Sequence, residues 1–150
     1  MPSAHAAPCT RRRSGCSVAS GPPAGRAAVS PVTLVSFDID GTLEVGEPPG
    51  IVSVALVRTA KRLGYVIGSC SDRPISFQRA LWERLQIVAD FTVLKHRLTD
   101  VKDRFQAAAY YHIGDTDNDD FFATAAGFHF LRADPAAHRS WGPALFGGQA

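Results

Sequence analysis

From Thr33 onward one pattern repeats. Short apolar runs at residues 33–37, 65–70, 91–94, 110–113 and 128–131 alternate with segments of helical periodicity. The first run, Thr33-Leu34-Val35-Ser36-Phe37, has the composition of a strand buried on both faces and ends abruptly in Asp38-Ile39-Asp40-Gly41-Thr42. Residues 51–63 read as an amphipathic helix, with Ile51, Ala55, Leu56, Ala60 and Leu63 on one face and Gly64 as a stop. A second helix starts near Pro74, a third covers residues 100–108, and a fourth runs over 121–126 to Gly127. Strict alternation predicts an α/β domain: a five-stranded parallel sheet with helices on both faces. In such sheets ligands bind at the carboxyl ends of the strands, where the polar residues of this chain collect. The stretch after Ala133 is rich in Pro and Gly and has no clear period.

The first thirty-one residues differ in kind. They contain no Leu, Ile or Phe, and are rich in Ala, Ser, Pro, Gly and Arg. Such a segment buries too little apolar surface to offset its ordering entropy, so a disordered tail is expected over 1–31 and a folded domain over 32–150, its core at 33–131. The tail lacks the apolar stretch of a secretory signal; flexible extension, upstream start and Arg-rich transit peptide all suit it. Four arginines and no acid precede Asp38, whereas 12 basic and 14 acidic side chains follow from there, a balance of −2. The folded part is therefore not a basic, general nucleic-acid binder. No run is long enough to span a membrane. Cys9, Cys16 and Cys70 are odd in number and match no zinc spacing, which suits a reducing cytoplasm.

Asp38 and Asp40 follow one strand; Asp115 follows another, with Asp117, Asn118, Asp119 and Asp120 behind it. So many carboxylates near one point call for a cation, and an all-oxygen donor set favours Mg²⁺ over zinc or copper. A calcium loop fails on spacing, because Asp120 stands where glycine is needed and Ala126 where glutamate is needed. A metal beside a free carboxylate suits phosphoryl transfer. Asp38 is the candidate nucleophile and Asp40 the candidate acid/base, with its pKa raised by neighbouring acids. Ser71 is the candidate to hold a phosphoryl oxygen and Lys95 to offset its charge, with Ser69 and Lys102 as alternatives. Arg73 suits a substrate contact or an ion pair. His112 and the phenylalanines Phe121, Phe122, Phe128 and Phe130 read as core.

These residues resemble the motifs of the haloacid dehalogenase (HAD) superfamily. Phe37-Asp38-Ile39-Asp40-Gly41-Thr42-Leu43 is similar to its first motif, DxDGT, and Gly114-Asp115-Thr116-Asp117-Asn118-Asp119 to its fourth, GDxxxD. Ser71-Asp72-Arg73-Pro74 is similar to the second, and Lys95 to the third. The resemblance implies a Rossmann-like HAD fold with strand one between strands two and four. It implies an Mg²⁺-dependent phosphomonoesterase working through an aspartyl phosphate. Asp38, Asp40 (through its backbone carbonyl) and Asp115 would hold the metal, supported by Gly41, Thr42 and Asp119.

HAD phosphatases often carry a cap, inserted after the first motif or between strands two and three. Residues 44–50 and 74–91 are too short for a domain, which needs roughly 40 residues. A capless enzyme is expected, acting on a phosphorylated substrate that can be macromolecular; nucleic acid would enter only as a phosphate-ended substrate. The competing readings are a phosphotransferase and a non-catalytic Mg²⁺-binding interaction domain of the same fold. A receiver domain is excluded, because its phosphorylated Asp sits on a middle strand, where this chain has Lys95. Neither substrate nor oligomeric state is written in these motifs.

Overall fold

A computed structural model describes residues 31–147. Contacts divide the chain into Met1–Ser30 and Pro31–Ala150, so the expectations for the tail lie outside the described residues. The second unit contains strands β1 (Thr33–Phe37), β2 (Val66–Ser71), β3 (Phe91–Leu94), β4 (Ala109–Gly114) and β5 (His129–Arg132). Helices α1 (Val54–Arg62), α2 (Ile75–Leu85), α3 (Leu98–Arg104), α4 (Asp117–Ala125) and α5 (Pro135–Phe146) connect or follow them. All strands are parallel, in the order β3-β2-β1-β4-β5. β1 thus lies between β2 and β4, and the sheet is compatible with a Rossmann-like fold.

The period of two along β1 divides the core. Val35 and Phe37 pack on one face with Ile67, Ile113, Leu56, Ala60 and Trp82. Leu34 packs on the other with Cys70, Phe91, Leu98, Val101 and Ala123. α1, α2 and α5 cover the first face; α3 and α4 cover the second. Burial on both sides explains why these strands read as continuous apolar runs. Among the described residues no helix is long and apolar enough to cross a membrane.

Three expectations are corrected. α1 begins at Val54 because the Ser53 hydroxyl accepts from Leu56 N, a side-chain N-cap. Ile51 and Leu63 fall outside the helix and are 38% and 50% exposed. Phe121 is not core: it lies on the outer side of α4, 65% exposed. The core also extends past residue 131. α5 inserts Trp141 and Phe146 into the first face, and Trp141 Nε1 donates to Arg132 O at 2.9 Å. Burying a side chain such as Phe146 contributes about 1.5–3 kcal/mol. Pro143 inside α5 obscured the helix in the sequence, although Asp134 as N-cap and Pro135 in the first turn were its signals.

Candidate functional site

Strand register brings the polar residues together. Phe37 pairs with Ser69 on one side and Ile113 on the other, so the chain leaves β1 at Asp38 level with the ends of both neighbours. Asp38 N then donates to Ile113 O at 2.9 Å. Asp38, Asp40, Ser71, Asp72, Lys95 and Asp115 line a cleft of about 270 Å³ at this carboxyl edge.

Two glycines permit the close approach. Gly41 has φ +77°, and a Cβ there would stand 2.1 Å from Asp115 Oδ2. At Gly114 a Cβ would meet Asp119 Cβ and Cγ at 2.5 Å. Thr42, fully buried, donates from Oγ1 to Asp115 Oδ1 at 3.4 Å.

Asp119 is pinned by a capping box at the start of α4. Its Oδ2 accepts from Asp115 N, Thr116 N and Thr116 Oγ1 at 3.1, 3.1 and 2.9 Å, while Thr116 Oγ1 accepts from Asp119 N. Its fully buried Oδ1 has no well-directed hydrogen bond and lies 3.0 Å from Lys95 Nζ and 3.6 Å from His112 Nε2. Burial opposes the Asp119 charge, but His112 and Lys95 outweigh it and hold the carboxyl below the usual range. His112 is buried as expected and shares a hydrogen bond with Ser36 Oγ at 3.0 Å through Nδ1. The sequence did not reveal that its other nitrogen faces Asp119.

Oxygens of Asp38, Asp115 and Asp119 lie within 4.8 Å of one another. Burial and then the Asp119 charge push the Asp38 carboxyl up to about 8, although Lys95 pulls the other way. Three carboxylates here share one nearby ammonium, that of Lys95. The close approach of these oxygen-only donors fits a hard cation beside them.

The Asp40 carboxylate lies apart from that trio. Arg73 Nε donates to its Oδ2 at 2.7 Å, Arg73 Nη2 to its Oδ1 at 3.3 Å, and Glu47 N to Oδ1 at 2.8 Å. Burial raises the Asp40 carboxyl, but the Arg73 and Glu47 hydrogen bonds win and hold it below its ordinary value. The sequence expectation had the opposite sign, because it counted the acids nearby and not the guanidinium. Arg73 is ion-paired, and its partner is the candidate acid/base Asp40 rather than a surface or helix-capping acid.

The alternatives at strands two and three are placed apart from the cleft. Ser69 is buried, donating to Gln78 Oε1 at 2.6 Å and accepting from Trp82 Nε1 at 2.9 Å. Lys102 Nζ donates to Gly127 O at 3.2 Å, at the end of α4. Lys95, 8% exposed, lies 3.8 Å from Asp38 Oδ2. Burial would lower its pKa, but Asp38 and Asp119 overcome this and raise it, so the ammonium is retained.

Sequence reading missed two positioning residues. Gln78, fully buried, donates from Nε2 to Arg73 O at 2.8 Å and Val93 O at 3.1 Å, tying the loop after β2 to β3. Arg132 donates to Asp115 O at 2.9 Å and to Asp117 Oδ1 at 2.7 Å, clamping the turn after β4. Both act across the sheet, so no local pattern marks them. A polar Gln78 on the inward side of an otherwise amphipathic α2 was the one available hint. No family model matches the sequence, and no curated protein is significantly similar to it.

Proposed function

We propose that this protein is a Mg²⁺-dependent phosphomonoesterase of the HAD type, working through an aspartyl phosphate on Asp38. The observation that carries this reading is the setting of Asp38. It is a buried carboxylate at the end of the central strand, sharing a metal-sized space with Asp115 and Asp119 and lying 3.8 Å from Lys95. Five carboxylates, counting Asp40 and Asp72, face two cations, Lys95 and Arg73. A phosphate ester, anionic whether or not it carries a proton, needs further positive charge to enter such a cleft. Mg²⁺ held by Asp38, Asp115 and the Asp40 backbone carbonyl, with Asp119 in support, would supply that charge and draw Asp38 into its ionised form.

Asp38 then attacks phosphorus, and the bond from phosphorus to the leaving oxygen breaks. Lys95 and the Ser71 hydroxyl hold phosphoryl oxygens. Asp40 gives the leaving oxygen a proton, which a monoanionic ester can bring into the cleft. As the carboxylate, Asp40 next takes a proton from water; the water oxygen attacks phosphorus and the bond to Asp38 breaks. Glu47 N and Arg73 hold Asp40 outside the acidic trio but still on the cleft lining.

The connection from β1 to α1 covers residues 38–53 and that from β2 to β3 contains only α2, so the proposed enzyme is capless. An open cleft suits a substrate that brings remote contacts of its own, including a macromolecular one. The buried, unpaired Cys70 fits a cytoplasmic protein. A screen of sugar phosphates, nucleotides, phosphopeptides and phosphate-ended DNA, with Mg²⁺ and with chelator, tests the proposal. Release of phosphate that needs Mg²⁺ and Asp38 supports it. Turnover only with an acceptor alcohol makes the protein a phosphotransferase. Mg²⁺ binding without turnover makes it a non-catalytic domain.

A further inference from the structure

Lys95 presents its ammonium to three carboxylates: Asp119 Oδ1 at 3.0 Å, Asp72 Oδ2 at 3.3 Å and Asp38 Oδ2 at 3.8 Å. The ammonium is thus shared among three negative charges. A phosphate that engages Lys95 competes with them. Asp119 is fully buried and pinned by its capping box, and the Asp38 side chain is 5% exposed. The Asp72 side chain is 77% exposed, and packing does not enforce its position. It lines the cleft with Asp40 and Ser71, and of the three partners of Lys95 it is the most exposed.

We propose that Asp72 is a selectivity residue: it occupies Lys95 in the free protein and, displaced to the cleft mouth, disfavours esters whose leaving group carries a further negative charge. The proposal rests on the phosphohydrolase reading and deepens it toward substrates with neutral or cationic leaving groups. Two effects follow from one carboxylate. Every phosphate competes with Asp72 for Lys95. An anionic leaving group then also meets the Asp72 charge at a few ångströms, partly screened by water.

Wild type, Asp72→Asn and Asp103→Asn are compared with Mg²⁺ at low ionic strength. The substrates are phenyl phosphate and 4-carboxyphenyl phosphate, with inorganic phosphate as competitive inhibitor. Asp103 is an exposed acid on α3 and controls for net charge. The ratio of kcat/KM for the carboxylated over the neutral ester removes intrinsic reactivity when taken between variants. In Asp72→Asn this ratio rises about threefold to tenfold, and the inhibition constant of inorganic phosphate falls about threefold, the size expected for a partly screened charge pair. In Asp103→Asn both stay at wild-type values. An unchanged ratio in Asp72→Asn, or an equal rise in Asp103→Asn, overturns the proposal while the phosphohydrolase reading stands. A wild-type protein that turns over neither ester and does not bind inorganic phosphate overturns both.

Discussion

Arg73 and Asp40 meet through a two-point contact, with Nε 2.7 Å from Oδ2 and Nη2 3.3 Å from Oδ1. Gln78 holds the Arg73 carbonyl from below, and the Arg73 guanidinium lies 4.7 Å from the Phe77 ring centroid. The geometry sets where the proposed acid/base can reach, which leads to the first expectation. Asp40→Asn lowers kcat by about 10²–10⁴-fold on alkyl phosphates, the usual range for a lost general acid. The loss on p-nitrophenyl phosphate is smaller, because that leaving group needs no proton. Arg73→Ala moves in the same direction by a smaller factor, and Arg73→Lys recovers only part, since an ammonium cannot reproduce the two-point contact. Equal losses on both ester types would remove Asp40 from the acid/base role.

Asp38→Asn retains the shape of the side chain but not the attacking anion. Turnover should drop by at least about 10³-fold with the melting transition preserved. Single-turnover assays with acid quenching should also lose the phosphorylated protein. Near-normal activity in this variant is incompatible with the mechanism.

Removal of divalent cations should abolish turnover, and Mg²⁺ should restore it. Asp115→Ala should raise the Mg²⁺ concentration needed for half-maximal rate by about tenfold or more, since one of three close carboxylates is lost. Titration of activity against Mg²⁺ in a metal-free preparation measures this. An unchanged rate in chelator would exclude the cation from the chemistry.

Gly41→Ala and Gly64→Ala separate backbone strain from crowding at the site. Both glycines have positive φ, +77° and +84°, so backbone strain alone should cost each substitution about 1–2 kcal/mol of stability in urea titrations, with a further loss at Gly41 from crowding. Nothing lies within 4 Å of the position a Cβ would take at Gly64, whereas at Gly41 it would strike the Asp115 carboxylate. Only Gly41→Ala should therefore weaken the response to Mg²⁺. Equal Mg²⁺ dependence in the two variants would show that Gly41 serves the turn alone.

What was legible in the sequence was whatever depends on local pattern. Apolar runs marked β1 to β5 because strands buried on both faces need apolar residues throughout. Asp38, Ser71, Lys95 and Asp115 could be read as strand-end residues because a parallel sheet directs all its carboxyl ends to one edge. The sign of the Asp40 shift was not legible, since it depends on a guanidinium that α2 and the β2 loop bring across the cleft. Nor were the burial of Gln78, the facing of His112 onto Asp119, or the contact of Asp72 with Lys95. Local propensity and periodicity act over a few residues and write themselves into the sequence. Contacts such as Asp40 with Arg73, 33 residues apart, exist only after strand order and register are set, and the same residue types would be equally acceptable as solvated surface.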